Sequence, residues 1–308
     1  MLEVYTYNAG KGDCLRIRFG QGHNMIIDTG VMRFGIRLKA ICEEIQSSGE
    51  TLDVLILTHV DDDHIGGILS LLRSGWKCPF LEVRMNHSGS ASSSANINAY
   101  LSTAQNDEVY RRLASQNVQI LPMLTGQLMF VDKAKIITIS PKAIVTDNTR
   151  INTPLAYQRD YGKSLAQLAS SPIRATDRSI NNKNSIIFIF EYENRRLLFT
   201  GDAWAEDLIC GLGHDMQDFD LVKLPHHGAA GNISADFKNH INCSNFLICT
   251  DGVAHPDKQT IAKLASWYGK INIFSPSDWW SRGFFTSEDD TDMINLMHRE
   301  GLAVKWHA

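Results

Sequence analysis

Two histidines and three aspartates fall within six residues of this chain, in the run Thr58-His59-Val60-Asp61-Asp62-Asp63-His64-Ile65-Gly66-Gly67. Imidazole nitrogens and carboxylate oxygens are the donors that hold zinc, manganese and iron. Packing them this densely costs desolvation and like-charge repulsion unless a cation neutralises the set. A solvated acidic turn is the plain alternative, and the flanks argue against it. Leu52-Asp53-Val54-Leu55-Ile56-Leu57-Thr58 reads as a buried strand, so the cluster starts at a strand's C-terminal end. Gly66-Gly67 then permits close approach before the apolar, helix-like Ile68-Leu69-Ser70-Leu71-Leu72. The run is expected to bind metal.

Other strand-like stretches end in the same kind of residue. Asn24 to Ile27 runs into Asp28-Thr29-Gly30, Leu197 to Thr200 into Gly201-Asp202, and Phe219 to Leu224 into Pro225-His226-His227-Gly228. In layered α/β folds, sites assemble where the C-terminal ends of strands converge. These separate motifs are therefore expected to build one dinuclear centre. His59 and Asp61 would share one ion, Asp63 and His64 would face the second, and Asp202 would bridge them, with a strand-end histidine completing the second sphere. Asp28 is expected to orient a ligand histidine rather than bind metal itself. Two divalent ions about 3.5–4 Å apart activate a water nucleophile and stabilise a leaving oxygen.

The elements that must position these groups follow from the pattern. Leu2 to Tyr7, Cys14 to Phe19 and Asn24 to Ile27 read as strands, and Gly35 to Ser47 has helical apolar spacing at Ile36, Leu38, Ile41 and Ile45. Phe80 to Met85 reads as a strand, Ser88 to Ser94 as a loop, Ile97 to Gln116 as a helix, and Leu128 to Ile139 as a hairpin. Asn184 to Tyr192 and Leu197 to Thr200 form a second hairpin, Ala205 to Leu212 a helix, Phe246 to Thr250 a strand, and Ile294 to Leu302 a closing helix. Strands alternating with helices predict a layered α/β fold, with residues 1–308 as a single domain. Residues 145–182 carry few apolar runs but hold Arg150, Arg159, Arg174 and Arg178, with Lys183 just beyond. They are expected to form a lid or insertion over an anionic substrate.

Composition bounds the function. The 308 residues are 44% hydrophobic and 21% charged with a net charge of −4, so no global basic field draws in polyanions. Six scattered cysteines without a Cys-x-x-Cys pair fit reduced thiols. The N-terminus lacks the form of a signal peptide and no apolar run reaches membrane-span length. A cytoplasmic protein without membrane contact is expected.

The ordered set Asp28-Thr29-Gly30, Thr58-His59-x-Asp61-x-Asp63-His64-x-Gly66-Gly67, Thr200-Gly201-Asp202 and His226-His227-Gly228 resembles the metallo-β-lactamase superfamily. The resemblance runs from about Leu2 to Leu264 and implies a four-layer αββα sandwich with the metals between the loop edges of its sheets. Asp61 stands where the usual motif has histidine, which resembles one branch, the metallo-β-lactamase-like domain of the competence protein ComEC. The turn Gly10-Lys11-Gly12-Asp13, the stretch Asn182-Lys183-Asn184-Ser185 and, loosely, Ala254-His255-Pro256 match that branch too. The resemblance implies His59, Asp61, Asp63, His64 and Asp202 as metal ligands, together with at least one of the histidine pair, for which His226 is preferred. It leaves His227 to contact a phosphate or donate a proton, His255 to touch substrate, and Asp63 within the catalytic set. The superfamily's remaining first-site histidine has no clear counterpart; His87 and Asn184 are the candidates. A carboxylate at Asp61 moves metal preference from zinc toward manganese without excluding zinc.

The reaction expected is metal-dependent hydrolysis of a phosphodiester in DNA, RNA or a nucleotide by a metal-activated hydroxide. The alternative keeps the site and changes the substrate. The chain is also similar to phosphorylcholine esterases, and Trp279-Trp280 would suit a cationic head group. Ester or lactone hydrolysis has less support, and a non-catalytic binding module would require lost ligands.

Overall fold

A strand buried on both faces needs a layer on each side. Thr51–Leu57 is of this kind: Val54 and Ile56 enter one apolar cluster while Leu52, Leu55 and Leu57 enter another. The computed structural model, which describes residues 1–87, 97–145, 159–173 and 176–307, places this strand within a seven-stranded sheet. The order is Gly301–Trp306, Leu2–Thr6, Leu15–Phe19, His23–Ile27, Thr51–Leu57, Glu82–Met85, Gln119–Leu121. An eight-stranded sheet lies against it, ordered Ile294–His298, Ile271–Ser275, Asn245–Leu247, Leu221–Lys223, Arg195–Phe199, Ile187–Tyr192, Ala134–Ser140, Leu128–Val131. Leu15, Phe19, Val54 and Ile56 of the first sheet share one core with Phe188, Phe190, Phe199 and Leu247 of the second. Each such buried side chain stabilises by roughly 1.5–3 kcal/mol relative to exposure.

Helices close both outer faces. Gly35–Ser47, Asp62–Arg73 and Ile97–Ala114 cover the first sheet. Leu165–Ser170, Ala205–Leu212 and Lys258–Tyr268 cover the second. This is the αββα layering expected from the sequence. Among the described residues no helix is long and apolar enough to cross a membrane.

Two elements depart from the expectation. The helix after the histidine–aspartate run starts at Asp62 rather than beyond the glycines, so Asp62, Asp63 and His64 form its first turn. Carboxylates are favoured there by the positive end of the helix dipole. Residues 294–302 do not form a helix. Ile294–His298 pairs parallel with Ile271–Ser275, and Gly301–Trp306 pairs antiparallel with Leu2–Thr6, so the segment extends an edge of each sheet in turn. Edge pairing satisfies backbone groups that a helix would have left open, and it overrides the weak helical spacing.

Of the expected lid, residues 146–158, with Arg150, and also Arg174 lie outside the described residues, as do residues 88–94 of the expected middle loop. The described part is packed down. Asp160 accepts the Lys258 and Gln259 amides at 2.9 and 2.8 Å, and Lys263 Nζ donates to Ala169 and Ser171 carbonyls at 2.7 and 2.6 Å. Arg159 donates to Val253 O at 2.9 Å and Lys183 pairs with Asp207 at 3.1 Å.

Close approach at the glycines sets the helix against the loop Asp28–Gly30. A Cβ on Gly67 would stand 2.0 Å from Thr29 O, whereas one on Gly49 would meet nothing within 4 Å. Gly67→Ala is therefore expected to lose about 3 kcal/mol, and Gly49→Ala, strained only by its positive φ, about 1 kcal/mol. Chemical denaturation of both variants checks the difference.

Candidate metal centre

Asp61 occupies the N-cap position of the helix Asp62–Arg73, with φ −73° and ψ 148°, yet its carboxylate does not cap the helix. An aspartate there ordinarily accepts an amide of the first turn. Here Asn181 Nδ2, from the side of the other sheet, donates to Oδ1 at 2.5 Å, and His59 Nε2, on its own side, lies 3.8 Å from Oδ2. Asp202 comes the other way, on the turn after Arg195–Phe199. Its Oδ2 is the focus of four imidazoles: the Nε2 atoms of His64 and His227 stand 3.4 Å away, that of His226 3.8 Å and that of His59 4.0 Å. Asp63 Oδ2 lies 3.7 Å from His227 Nε2. Asp13, His64, Asp202 and His227 each offer an atom to one group whose members all lie within 4.8 Å.

The outer nitrogens explain why the inner ones point together. His64 Nδ1 donates to Asp28 Oδ2 at 2.8 Å, and Thr58 gives its hydroxyl proton to the same oxygen at 2.7 Å. With that proton committed, Thr58 Oγ1 can only accept from His59 Nδ1, 3.2 Å away. His227 Nδ1 donates to Cys249 O at 2.8 Å and faces Asp13 Oδ1 at 3.0 Å. His226 Nδ1 pairs with Asn232 Oδ1 at 3.0 Å, and Asn232 is itself oriented by donating to Asp177, Asp202 O and Ala203 O. Every Nδ1 carries its proton outward, so every Nε2 presents a lone pair inward when neutral. Left-handed backbone at Asp28 (φ 56°), His226 (φ 47°) and His227 (φ 54°) is part of the same arrangement. Such strain costs on the order of 1–3 kcal/mol each and concentrates at functional sites.

The residues fit divalent ions. The Nε2 atoms of His59, His64 and His227 are buried without a hydrogen bond of ordinary geometry, which is expensive unless something else coordinates them. Their 3.4–4.0 Å distances from Asp202 Oδ2 are long for hydrogen bonds. They approach the spacing of donors around a shared ion, roughly 3.3 Å for tetrahedral zinc.

The six residues read as ligands, His59, Asp61, Asp63, His64, Asp202 and His226, and His227, expected to contact a phosphate or donate a proton, lie together around Asp202. Between the paired histidines, His227 joins the four-residue group and His226 stands at the more open side, its side chain 28% exposed. The His255 ring packs 5.0 Å from that of His226. His87 is engaged by Asp107 at 2.7 Å and stacked on Tyr110, and Asn184 bonds Val145 through both its amide atoms, so each has a structural role. Trp279 is core, with Nε1 bonded to Ser275 Oγ at 3.0 Å. Residues that sequence reasoning did not place at the centre are Asp13, Lys223, Asp177, Asn181 and Asn232. Two left a trace: Asp13 closes a glycine turn, and Lys223 interrupts an apolar strand.

Residues 7–103, which carry Asp13, Asp28 and the His59–His64 run, match the family model described as the Metallo-beta-lactamase superfamily. The two-sheet architecture is consistent with that fold. No curated protein matches the chain. Among solved structures, the metallo-beta-lactamase fold protein YhfI from Bacillus subtilis is 10% identical, with 99% of this chain and 100% of that one covered and a TM-score of 0.49. A diphosphatase of the PhnP family is 11% identical, covering 100% and 97%, with a TM-score of 0.45. Igni18, a metallo hydrolase from Ignicoccus hospitalis, is 12% identical over the full length of both chains, with a TM-score of 0.42. Likeness at this level does not assign a reaction.

Without a cation, protons take its place. Burial opposes charge on His226 and His227, but the surrounding carboxylates, Asp202 first, outweigh it and raise them to about 9 and about 10. Burial likewise opposes charge on His64, and Asp202 and Asp28 hold it well above its ordinary value. Burial and the His64 charge lower His59 to about 4. The raised groups stabilise the metal-free fold fully below the free-imidazole value of about 6.5. That contribution is lost as pH rises through about 9 to 10. A divalent ion must displace the same protons, so its apparent affinity rises with pH. The melting temperature of chelator-stripped protein is thus expected to fall between pH 6.5 and 9.5 while that of metal-loaded protein holds. Paired thermal melts check this, and a gap that narrows with rising pH contradicts it.

Proposed function

We propose that the chain is a metal-dependent hydrolase of the metallo-β-lactamase superfamily acting on a phosphodiester of a nucleotide or short nucleic acid. The observation that carries the reading is the convergence of four imidazole Nε2 atoms on Asp202 Oδ2. His59, Asp61 and Asp202 would hold one ion, and Asp63, His64, His227 and Asp202 the other. Bound there, the ions supply Lewis acidity and lower the pKa of water. Asp61 adds hard oxygen, which favours manganese. Asp61 and the Gly10–Asp13 turn also support kinship with the ComEC branch, and with it the phosphodiester substrate.

The chain's own residues do the rest. Lys11 Nζ, half exposed, stands 3.3 Å from Asp63 Oδ2 at the mouth of the centre, where it can draw a phosphate oxygen inward. His226 is partly exposed and fixed through Nδ1 by Asn232 and Asp177, the placement required of a group that protonates a leaving oxygen. His255, lowered to about 3 by burial and then by the neighbouring His226 charge, packs beside it as a neutral ring. The net charge of −4 favours a small or single-stranded substrate over a long duplex. A choline-type substrate fits less well, because Trp279 is buried in the core and only Trp280 of the pair is partly exposed.

Alanine at Asp63 or His64 is expected to cut manganese- or zinc-dependent hydrolysis by at least about 100-fold with circular dichroism unchanged. The substrates are bis-p-nitrophenyl phosphate, single-stranded DNA, RNA and cyclic dinucleotides. Undiminished turnover in both variants, or activity confined to choline esters, overturns the proposal. The paired histidines should separate. His227→Ala lowers bound metal per chain, whereas His226→Ala keeps the metal and loses kcat by about 100-fold, read by elemental analysis and steady-state kinetics.

A further inference from the structure

Lys223 ends the strand Leu221–Lys223 with only 1% of its surface exposed, and the chemistry above does not use it. A lysine is rarely enclosed this far unless it is paired. Its ammonium pairs with Asp13 Oδ2, donates to Gly201 O at 2.8 Å and lies 3.7 Å from Asp202 Oδ1. The carbonyl of the same residue accepts from Thr200 Oγ1 at 2.7 Å. One side chain thereby joins the Gly10–Asp13 turn of the first sheet to the Gly201–Asp202 turn of the second.

Two divisions of labour follow. On Asp202, Oδ1 faces the ammonium and Oδ2 faces the four imidazoles. On Asp13, Oδ2 meets the ammonium and Oδ1 faces His227 Nδ1 at 3.0 Å. The charges also balance. Asp13, Asp28, Asp61, Asp63, Asp177 and Asp202 bring six carboxylates to this cleft. Two divalent ions would offset four of them, Lys223 the fifth and Lys11, beside Asp63, the sixth.

We propose that Lys223 is a built-in cation of the centre, a positioning residue that fixes Asp13 and Asp202 and keeps Asp202 Oδ2 turned toward the ions. This rests on reading the site as a metal centre.

Stripped of metal, Lys223→Met should melt roughly 5–10 °C below the wild type. Saturating Mn2+ should close most of that gap, because ions offset the carboxylates that lost their partner. Asp13→Asn added to Lys223→Met removes the orphaned charge while leaving His227 an acceptor, and should return the stripped protein toward the wild-type melting temperature. A lysine that only fills space gives equal losses with and without Mn2+ and no rescue, and either result overturns the proposal. Should Lys223→Met fail to fold, a folded double variant supports the proposal and an unfolded one overturns it. Titration of the wild type with Mn2+ is run in parallel. Its failure to bind overturns the metal reading, while rescue by Asp13→Asn still tests the lysine.

Discussion

Buried carboxylates and imidazoles facing one another across a single cleft cannot remain so without positive charge among them. Asp202 Oδ2, ringed by four Nε2 atoms, is where that constraint is sharpest. Protons on His64, His226 and His227 satisfy it in the absence of metal, because the facing carboxylates, Asp202 first, raise the pKa of each. The same displacement prepares the site to exchange protons for cations, so stability, metal affinity and pH are coupled through one set of side chains.

The sheets exist, from the standpoint of this centre, to bring two half-sites together. His59, Asp61, Asp63 and His64 belong to the first layer pair, and Asp202, His226 and His227 to the second. Neither half gathers these donors alone. The aromatic core between the sheets sets their spacing, while Gly67 lets the first helix settle onto the Asp28–Gly30 loop. Left-handed backbone at Asp28, His226 and His227 is tolerated because those packed layers and outer hydrogen bonds over-determine it.

Much of this was legible beforehand. A strand buried on both faces reads as a continuous apolar run that a polar residue ends visibly, so the positions where strands hand over to Asp28, His59, Asp202 and His226-His227 stood out in the chain. Where two elements compete on weak spacing, reading fails. Residues 294–306 became two edge strands because unpaired backbone at the sheet edges outweighed a modest helical pattern. For Trp279-Trp280 the chain leaves a head-group site and a core role both open, and only the contacts of Trp279 with Ser275 and Phe284 place that ring in the core.

What the sequence determined by itself was the chemistry: donor types, their order, and their position at strand ends, since these depend on residues a few places apart. The assignment of partners was settled by folding alone. That His227 rather than His226 joins Asp13, His64 and Asp202, that Asn181 rather than Asn184 reaches Asp61, and that Lys223 lies beneath Asp13 and Asp202 all depend on contacts between residues far apart in the chain. Adjacent residues such as His226 and His227 carry identical side chains, and only the backbone angles at that turn, set by packing of the second sheet, tell one ring from the other.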